Sequence, residues 1–152
     1  LNKIWTQRVA YISQDPFFLD DTIKNNIAFA EDESKIESEK IWKALKQSQL
    51  FEFVNSSKNK LDTIIGEKGT RMSAGQLQRL AISRALYDDF DLIILDESLN
   101  ALDSENENKI LEVLSELEAY GKTIILISHH LSNLKNCKKI LEIKDKKIIE
   151  KK

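Results

Sequence analysis

The chain has 152 residues, 23 Lys+Arg against 25 Asp+Glu for a formal charge of −2, 41% hydrophobic and 32% charged residues, and one cysteine, Cys137. This length predicts a single domain of ordinary soluble globular composition, and the near-balanced charge argues against a nucleic-acid binder that works by neutralising phosphates. A lone cysteine can form no internal disulfide and points to a reducing compartment, while the longest apolar runs, residues 92–95 and 124–127, are far shorter than the ~18 residues of a membrane span.

Residues 8–13 (RVAYIS) have the branched and aromatic character of a short strand. A loop with the only proline, Pro16, followed by Phe17 and Phe18, leads toward a helix. Ser34 and Glu37 stand at capping-box spacing and predict a helix start, with Ile41, Trp42, Ala44 and Leu45 on one face. Residues 55–60 read as a polar connector. Ser73 and Gln76 repeat the capping spacing and open a second helix with Leu77, Leu80, Ala81 and Ala85 inward. Residues 92–95 (LIIL) are continuously apolar, the pattern of a strand buried on both faces of a parallel sheet. Ser104 and Glu107 predict the cap of a third helix carrying Ile110, Leu111, Leu114 and Leu117, with Gly121 ending it. Residues 124–127 predict a second buried strand, and residues 140–143 with 147–149 a strand pair. This alternation gives an α/β fold with a parallel sheet, on which the helical stretch between Pro16 and Tyr87 is an insert. There is no internal repeat and no signal-peptide core.

The chemistry gathers where strands end. Residues 92–97 (LIILDE) deliver two carboxylates at the C-terminal end of a strand, where open α/β sheets bind ligands. Asp96 is suited to hold Mg²⁺, and Glu97 to orient and deprotonate a water. Read alone, the pair is equally a strand end facing solvent. Ser73, Gly75 and Gln76 sit at a helix N-terminus, where backbone N–H groups and the helix dipole favour an anion; read alone, the more common case is a plain capping box in which Ser73 and Gln76 serve only their own backbone. His129 follows the next strand and would reach the same phosphate if the two strands are neighbours. Gln14, after the first strand, would point at the metal or the water.

In order, Gln14 after a strand, residues 72–79 (MSAGQLQR), 92–97 (LIILDE), 100–103 (NALD) and 127–129 (ISH) resemble the Q-loop, signature motif, Walker B, D-loop and H-loop of an ABC-type ATPase domain. The resemblance covers essentially the whole chain. Residues 14–27 (QDPFFLDDTIKNNI) and 63–69 (TIIGEKG) further resemble the post-Q-loop segment and the x-loop of ABC exporters, the latter facing a transmembrane domain. The resemblance implies a P-loop NTPase-like (RecA-like) parallel α/β sheet, here incomplete, formed by residues 1–14 and 88–152, with residues 15–87 as the helical subdomain. It implies an exporter ATPase with ATP and Mg²⁺ as cofactors. Asp96 and Gln14 would serve Mg²⁺, Glu97 the attacking water and His129 the γ-phosphate. Ser73, Gly75 and Gln76 of a second nucleotide-binding domain would close the site, and Asp103 would link the two sites. The implied partners are that second domain and a transmembrane domain of the same or another chain, and no nucleic acid. The implied place is the cytoplasmic face of the inner membrane, with the chain itself soluble.

The family's Walker A motif does not occur among the 152 residues. Residues 121–123 (GKT) offer a Lys and a hydroxyl, but Glu116 stands where the leading glycine belongs, and the tripeptide precedes a strand instead of following one. The adenine-stacking aromatic is missing as well, because Trp5 and Tyr11 lie too close to Gln14. Together with a start at Leu1 rather than Met, this predicts the C-terminal part of a nucleotide-binding domain, inactive alone. The implied strand order leaves a gap between the strand ending at Ser128 and the one near Ile140, with bare edges and bare apolar surface. Four departures from the family pattern accompany it. Met72 and Ala74 alter the signature, and Ala74 is acceptable only at negative φ. Ser98 and Leu99 replace a commoner pair, Asn100 replaces a Ser, and His130 stands where exporters often carry Arg. Two other readings are a truncated interaction module, using the Glu67 region with Phe17 and Phe18, and a soluble non-transporter ABC ATPase. The exporter-like segments and the slightly acidic charge disfavour the last.

Overall fold

The computed structural model describes residues 8–100 and 102–151; Trp5 and Ala101, named above, lie outside the described residues. Strands β1 (Val9–Ile12), β2 (Leu92–Asp96) and β3 (Thr123–Ile127) form a parallel sheet in the order β1-β2-β3. Ile12 lies opposite Leu95, and Asp96 opposite Ile127, so the three strands end level with one another. Five α-helices are described: α1 (Ile23–Ile27), α2 (Ser38–Gln47), α3 (Phe51–Ser56), α4 (Ala74–Tyr87) and α5 (Ser104–Ala119). Strands β4 (Ile140–Lys144) and β5 (Lys147–Lys151) form a separate antiparallel hairpin. Its two-residue turn holds Asp145 at φ 50° and Lys146 at φ 60°, the left-handed pair of the tight turn that matches strand twist.

The core lies between one face of the sheet and the helices. Ile12, Ile93 and Leu95 are buried there with Leu80, Ile82, Ala85, Ile110, Val113 and Leu117. A second part of the same cluster joins Ile23 and Ile27 to Ile41, Leu45, Leu50 and Val54. The parallel sheet and the helical stretch between Pro16 and Tyr87 therefore form as the sequence predicts.

The other face of the sheet departs from expectation. β2 alternates half-buried and buried residues instead of being covered on both sides, and β3 alternates exposed and half-buried ones. Ile125 is 45% and Ile127 44% exposed, although both were expected in a buried strand. A parallel strand is buried twice only when layers pack on both faces. Among the described residues, helices cover one face only, and β3 is one of the sheet's two outer strands. Among the described residues, β3 thus has one unpaired edge, and Ile125 and Ile127 lie on an uncovered apolar face.

Three local expectations need correction. Ser34 does not start a helix, because Asp32 accepts both its N–H (3.0 Å) and its hydroxyl (2.7 Å). That local bond makes a single turn of 3₁₀ helix at Glu33–Lys35, and α2 begins only at Ser38, after Glu37, without a side-chain cap. The α5 cap is Asp103 rather than Ser104, a carboxylate accepting from the N–H groups of Glu105 (3.1 Å) and Asn106 (3.0 Å). An anion is favoured over a hydroxyl at the positive end of the helix. Residues 55–56, placed in the connector, finish α3. Gly121 ends α5 as expected at φ 85°, with Gly121 N–H on Glu118 O and Lys122 N–H on Leu117 O, so Gly121 and Lys122 form the helix-ending turn and Thr123 already opens β3.

Candidate functional site

Because the strands run parallel and end level, they deliver their next residues to one edge of the sheet. Asp96 closes β2, Glu97 follows it, His129 lies two residues past β3 and Gln14 two past β1. His129 Nε2 is 2.6 Å from Glu97 Oε1, and Asn100 Nδ2 donates to Glu97 Oε2 at 3.3 Å. The Glu97 N–H bonds Ile127 O at 3.0 Å, and its backbone sits at φ 51°. The left-handed region costs a residue with a Cβ roughly 1–3 kcal/mol, and such outliers collect at functional sites. Here it turns the carboxylate sideways from β2 onto the end of β3. Tyr11 OH donates to Asp96 Oδ2 at 2.7 Å, and this bond to an anion pushes the phenol pKa up.

The signature residues lie on the N-terminus of α4. Ser73 N–H donates to Gln76 Oε1 (2.9 Å), and Gln76 N–H to Ser73 Oγ (3.3 Å), a complete capping box. The Ser73 hydroxyl proton and the Gln76 amide hydrogens are not consumed by this exchange and can be offered to an anion. Ala74 begins the helix at negative φ, so its Cβ is tolerated. Gly75 is different: a Cβ there would lie 2.6 Å from Asn106 Cγ and Oδ1. Asn106 is itself fixed by a 2.7 Å bond to Asp103 Oδ2. The signature thus packs against the segment that follows residues 100–103, within one chain.

Asp103 accepts the Asn106 N–H, the Asn106 amide and the Glu105 N–H, and these bonds hold its carboxyl below the ordinary carboxylate range. A depressed folded pKa gives stability that is full above the unfolded value and is lost as pH falls through the folded one. Asp103→Ala is therefore expected to lower the melting temperature at neutral pH and to flatten its acid limb; an unchanged acid limb would refute a carboxylate cap.

The model of a family described as ABC transporter matches residues 2–100. The chain belongs to the ABC transporter family. It is similar to the ATP-dependent lipid A-core flippase of Pectobacterium atrosepticum, 43% identical over 143 residues, covering 94% of this chain and 24% of that one. The Vibrio parahaemolyticus flippase of the same description is 44% identical over 144 residues, with 95% and 24% covered. Among solved structures, a bacterial Atm1-family ABC exporter with ATP bound superposes with a TM-score of 0.76 at 30% identity, covering 89% of this chain and 23% of that one. The chain thus spans about a quarter of the length of the relatives it matches.

Within this ABC transporter family chain, the departures noted above have structural places. Ser98 and Leu99 are buried, and Asn100 supplies a donor to Glu97. Three residues were missed by sequence reasoning. Tyr11 faces Asp96 from the neighbouring strand, a relation visible once the parallel register is assumed. Gln78 is a lone amide among the inward positions of α4, which could have marked it. Asn106 gives no signal in sequence at all.

Proposed function

We propose that the chain forms part of an ATP-binding and ATP-hydrolysing domain that drives export across a membrane. The observation that carries this reading is the convergence of Asp96, Glu97, His129 and the Gln14 loop at the C-terminal edge of three parallel strands. Glu97 would serve as the base for the attacking water, and His129, in contact with it, would meet the γ-phosphate. Asp96 and Gln14 would hold Mg²⁺. A carboxylate and an amide oxygen are the hard donors this ion takes, and only one Asp96 oxygen is engaged by Tyr11. Mg²⁺ bound there would neutralise phosphate charge. Among the described residues no group of three or more His, Cys, Asp or Glu side chains could cage a metal.

Residues 15–87 would act as the helical subdomain on the sheet portion, offering Ser73, Gly75 and Gln76 to the nucleotide of a second such domain. Asp103 would sit at the junction of the two sites. The two exporter-like segments meet through a Thr22–Ile64 bridge, in which Ile23 N–H donates to Thr63 O and Ile65 N–H to Asp21 O. Ile64 of this bridge and Phe17 and Leu19 of the first segment are exposed, and Phe17 also lines a groove with Tyr11, Pro16, Arg84 and Asp88. This is the surface we assign to a transmembrane partner, at the cytoplasmic face of a membrane. No helix among the described residues is long and apolar enough to cross one.

The phosphate-cradling loop has to come from outside these 152 residues. ATP turnover should therefore appear only when this chain is mixed with a separately made piece carrying a Walker A strand, loop and helix. Turnover by the chain alone would overturn the reading of residues 121–123 as a helix-ending turn.

A further inference from the structure

The Gln14 loop is held by α4. Between Ser13 and Asp20 the backbone forms no helix or strand, so its carbonyls need partners from elsewhere or from water. Two of them receive donors from α4, more than sixty residues away in sequence: Gln78 Nε2 donates to Gln14 O at 2.8 Å, and Arg84 Nη1 to Phe17 O at 3.0 Å. Arg84 Nε also donates to Asn26 O at 2.7 Å, which ties in the end of α1. Its guanidinium lies 4.9 Å from the ring centroids of both Phe18 and Phe29. Gln78 is only 5% exposed. A buried amide that loses its partner retains the full cost of desolvation, so the Gln78 bond has a strong preference to stay closed.

We infer that Gln78 and Arg84 are positioning residues that pin the Gln14 loop to the signature helix, so that Gln14 and Ser73 move as one body. Gln78 lies in α4 five positions after its N-cap Ser73, and a helix transmits displacement along its length where a loop does not. Gln14 is the residue placed toward the metal and water of its own nucleotide, and Ser73 is offered to the nucleotide of a second domain. Through Gln78, a shift of Gln14 on one nucleotide becomes a shift of the hydroxyl presented to the other. At the far end of α4, Arg84 performs the same office for Phe17, which lines the groove assigned to the transmembrane partner. The inference rests on the ATPase reading for its functional meaning, but the pins themselves are a property of this chain.

Amide hydrogen exchange in the 152-residue chain tests it. Gln78→Leu fills similar space but cannot donate. Losing one hydrogen bond to a buried amide should speed exchange in residues 14–20, read at the Leu19 N–H that Asn26 Oδ1 accepts at 2.9 Å, by about tenfold, with β2 amides unchanged. Arg84→Lys keeps the charge but cannot reach both carbonyls with a rigid fork, and should release residues 17–20 in the same way. Gln78→Glu gives a signature that space-filling alone cannot mimic. Its introduced carboxyl can donate to Gln14 O when protonated and not when ionised. Exchange in residues 14–20, relative to the parent chain at the same pH, should be near parity in acid and rise as that carboxyl ionises. If Gln78→Leu does not fold, this pH comparison reads the same bond in a side chain of nearly unchanged volume. Parent-like exchange in residues 14–20 at every pH in both Gln78→Glu and Arg84→Lys would overturn the inference. Release of the loop in a chain that never supports turnover with a Walker A piece would keep the pins and discard the ATPase reading. Turnover with an unreleased loop would do the reverse.

Discussion

Glu97→Gln is expected to leave ATP binding intact in a domain completed by a Walker A piece, and to lower turnover by the ~10²–10⁴-fold that a positioned general base contributes. The substitution changes little else. Gln has the same length and can still accept from Asn100 at the Oε2 position, while its amide NH2 takes the Oε1 position and can donate to His129 Nε2 when the imidazole proton sits on Nδ1. It cannot take a proton from water. Its backbone must keep the left-handed conformation at φ 51°, which neither Glu nor Gln favours over the other. Because Glu97 and His129 touch, their losses should not add: His129→Ala in the Glu97→Gln background should lower turnover little further, as happens when two groups serve one step. Retained turnover in Glu97→Gln would remove Glu97 from the role of base. Full additivity with His129→Ala would mean that the contact seen here is not used in the reaction.

Much of this site was legible because its residues lie at the ends of short apolar runs, and a parallel sheet turns such ends into neighbours. Residues 92–97 and 127–129 needed only the assumption of adjacency, which the Asp96–Ile127 register supplies. The Ser73–Gln76 box was legible for the same local reason, since both its bonds lie within one helical turn. What sequence could not resolve was competition between near-equal local options and contacts made across long separations. Asp32 captured Ser34, and Asp103 displaced Ser104, because a carboxylate outbids a hydroxyl for nearby N–H groups. The contact of Gly75 with Asn106 and the bond of Gln78 to Gln14 depend on how α4 lies against α5 and β1, and no spacing rule carries that. The expectation of doubly buried strands failed for a further reason. Continuous apolar character records the surroundings a strand is built for, whereas its exposure records only the layers that this chain supplies.

That difference gives the second large effect. Ile93 and Ile125 both belong to apolar runs, yet Ile93 is 0% exposed and Ile125 45%. Ile93→Ala should destabilise this chain by about 2–5 kcal/mol, through the lost transfer energy and the cavity left in the core between the sheet and the helices. Ile125→Ala removes the same atoms from a side chain that already meets solvent, so its cost in the chain alone should be well under half as large. When a Walker A strand and helix are added, the β3 edge and the bare sheet face become interior, and Ile125 acquires neighbours on the side now open. Its substitution should then weaken assembly of the two pieces, raising the midpoint concentration for recovered activity, while Ile93→Ala acts before and after assembly alike. Thermal melts of the two variants alone, set beside titrations of the second piece, separate these cases. Equal destabilisation by Ile93→Ala and Ile125→Ala in the isolated chain would mean that the face carrying Ile125 is covered in solution. A titration midpoint untouched by Ile125→Ala would mean that the missing layer does not dock on β3. The expected split, one residue costly everywhere and the other only on assembly, follows from a strand whose sequence is written for two covered faces and whose chain provides one.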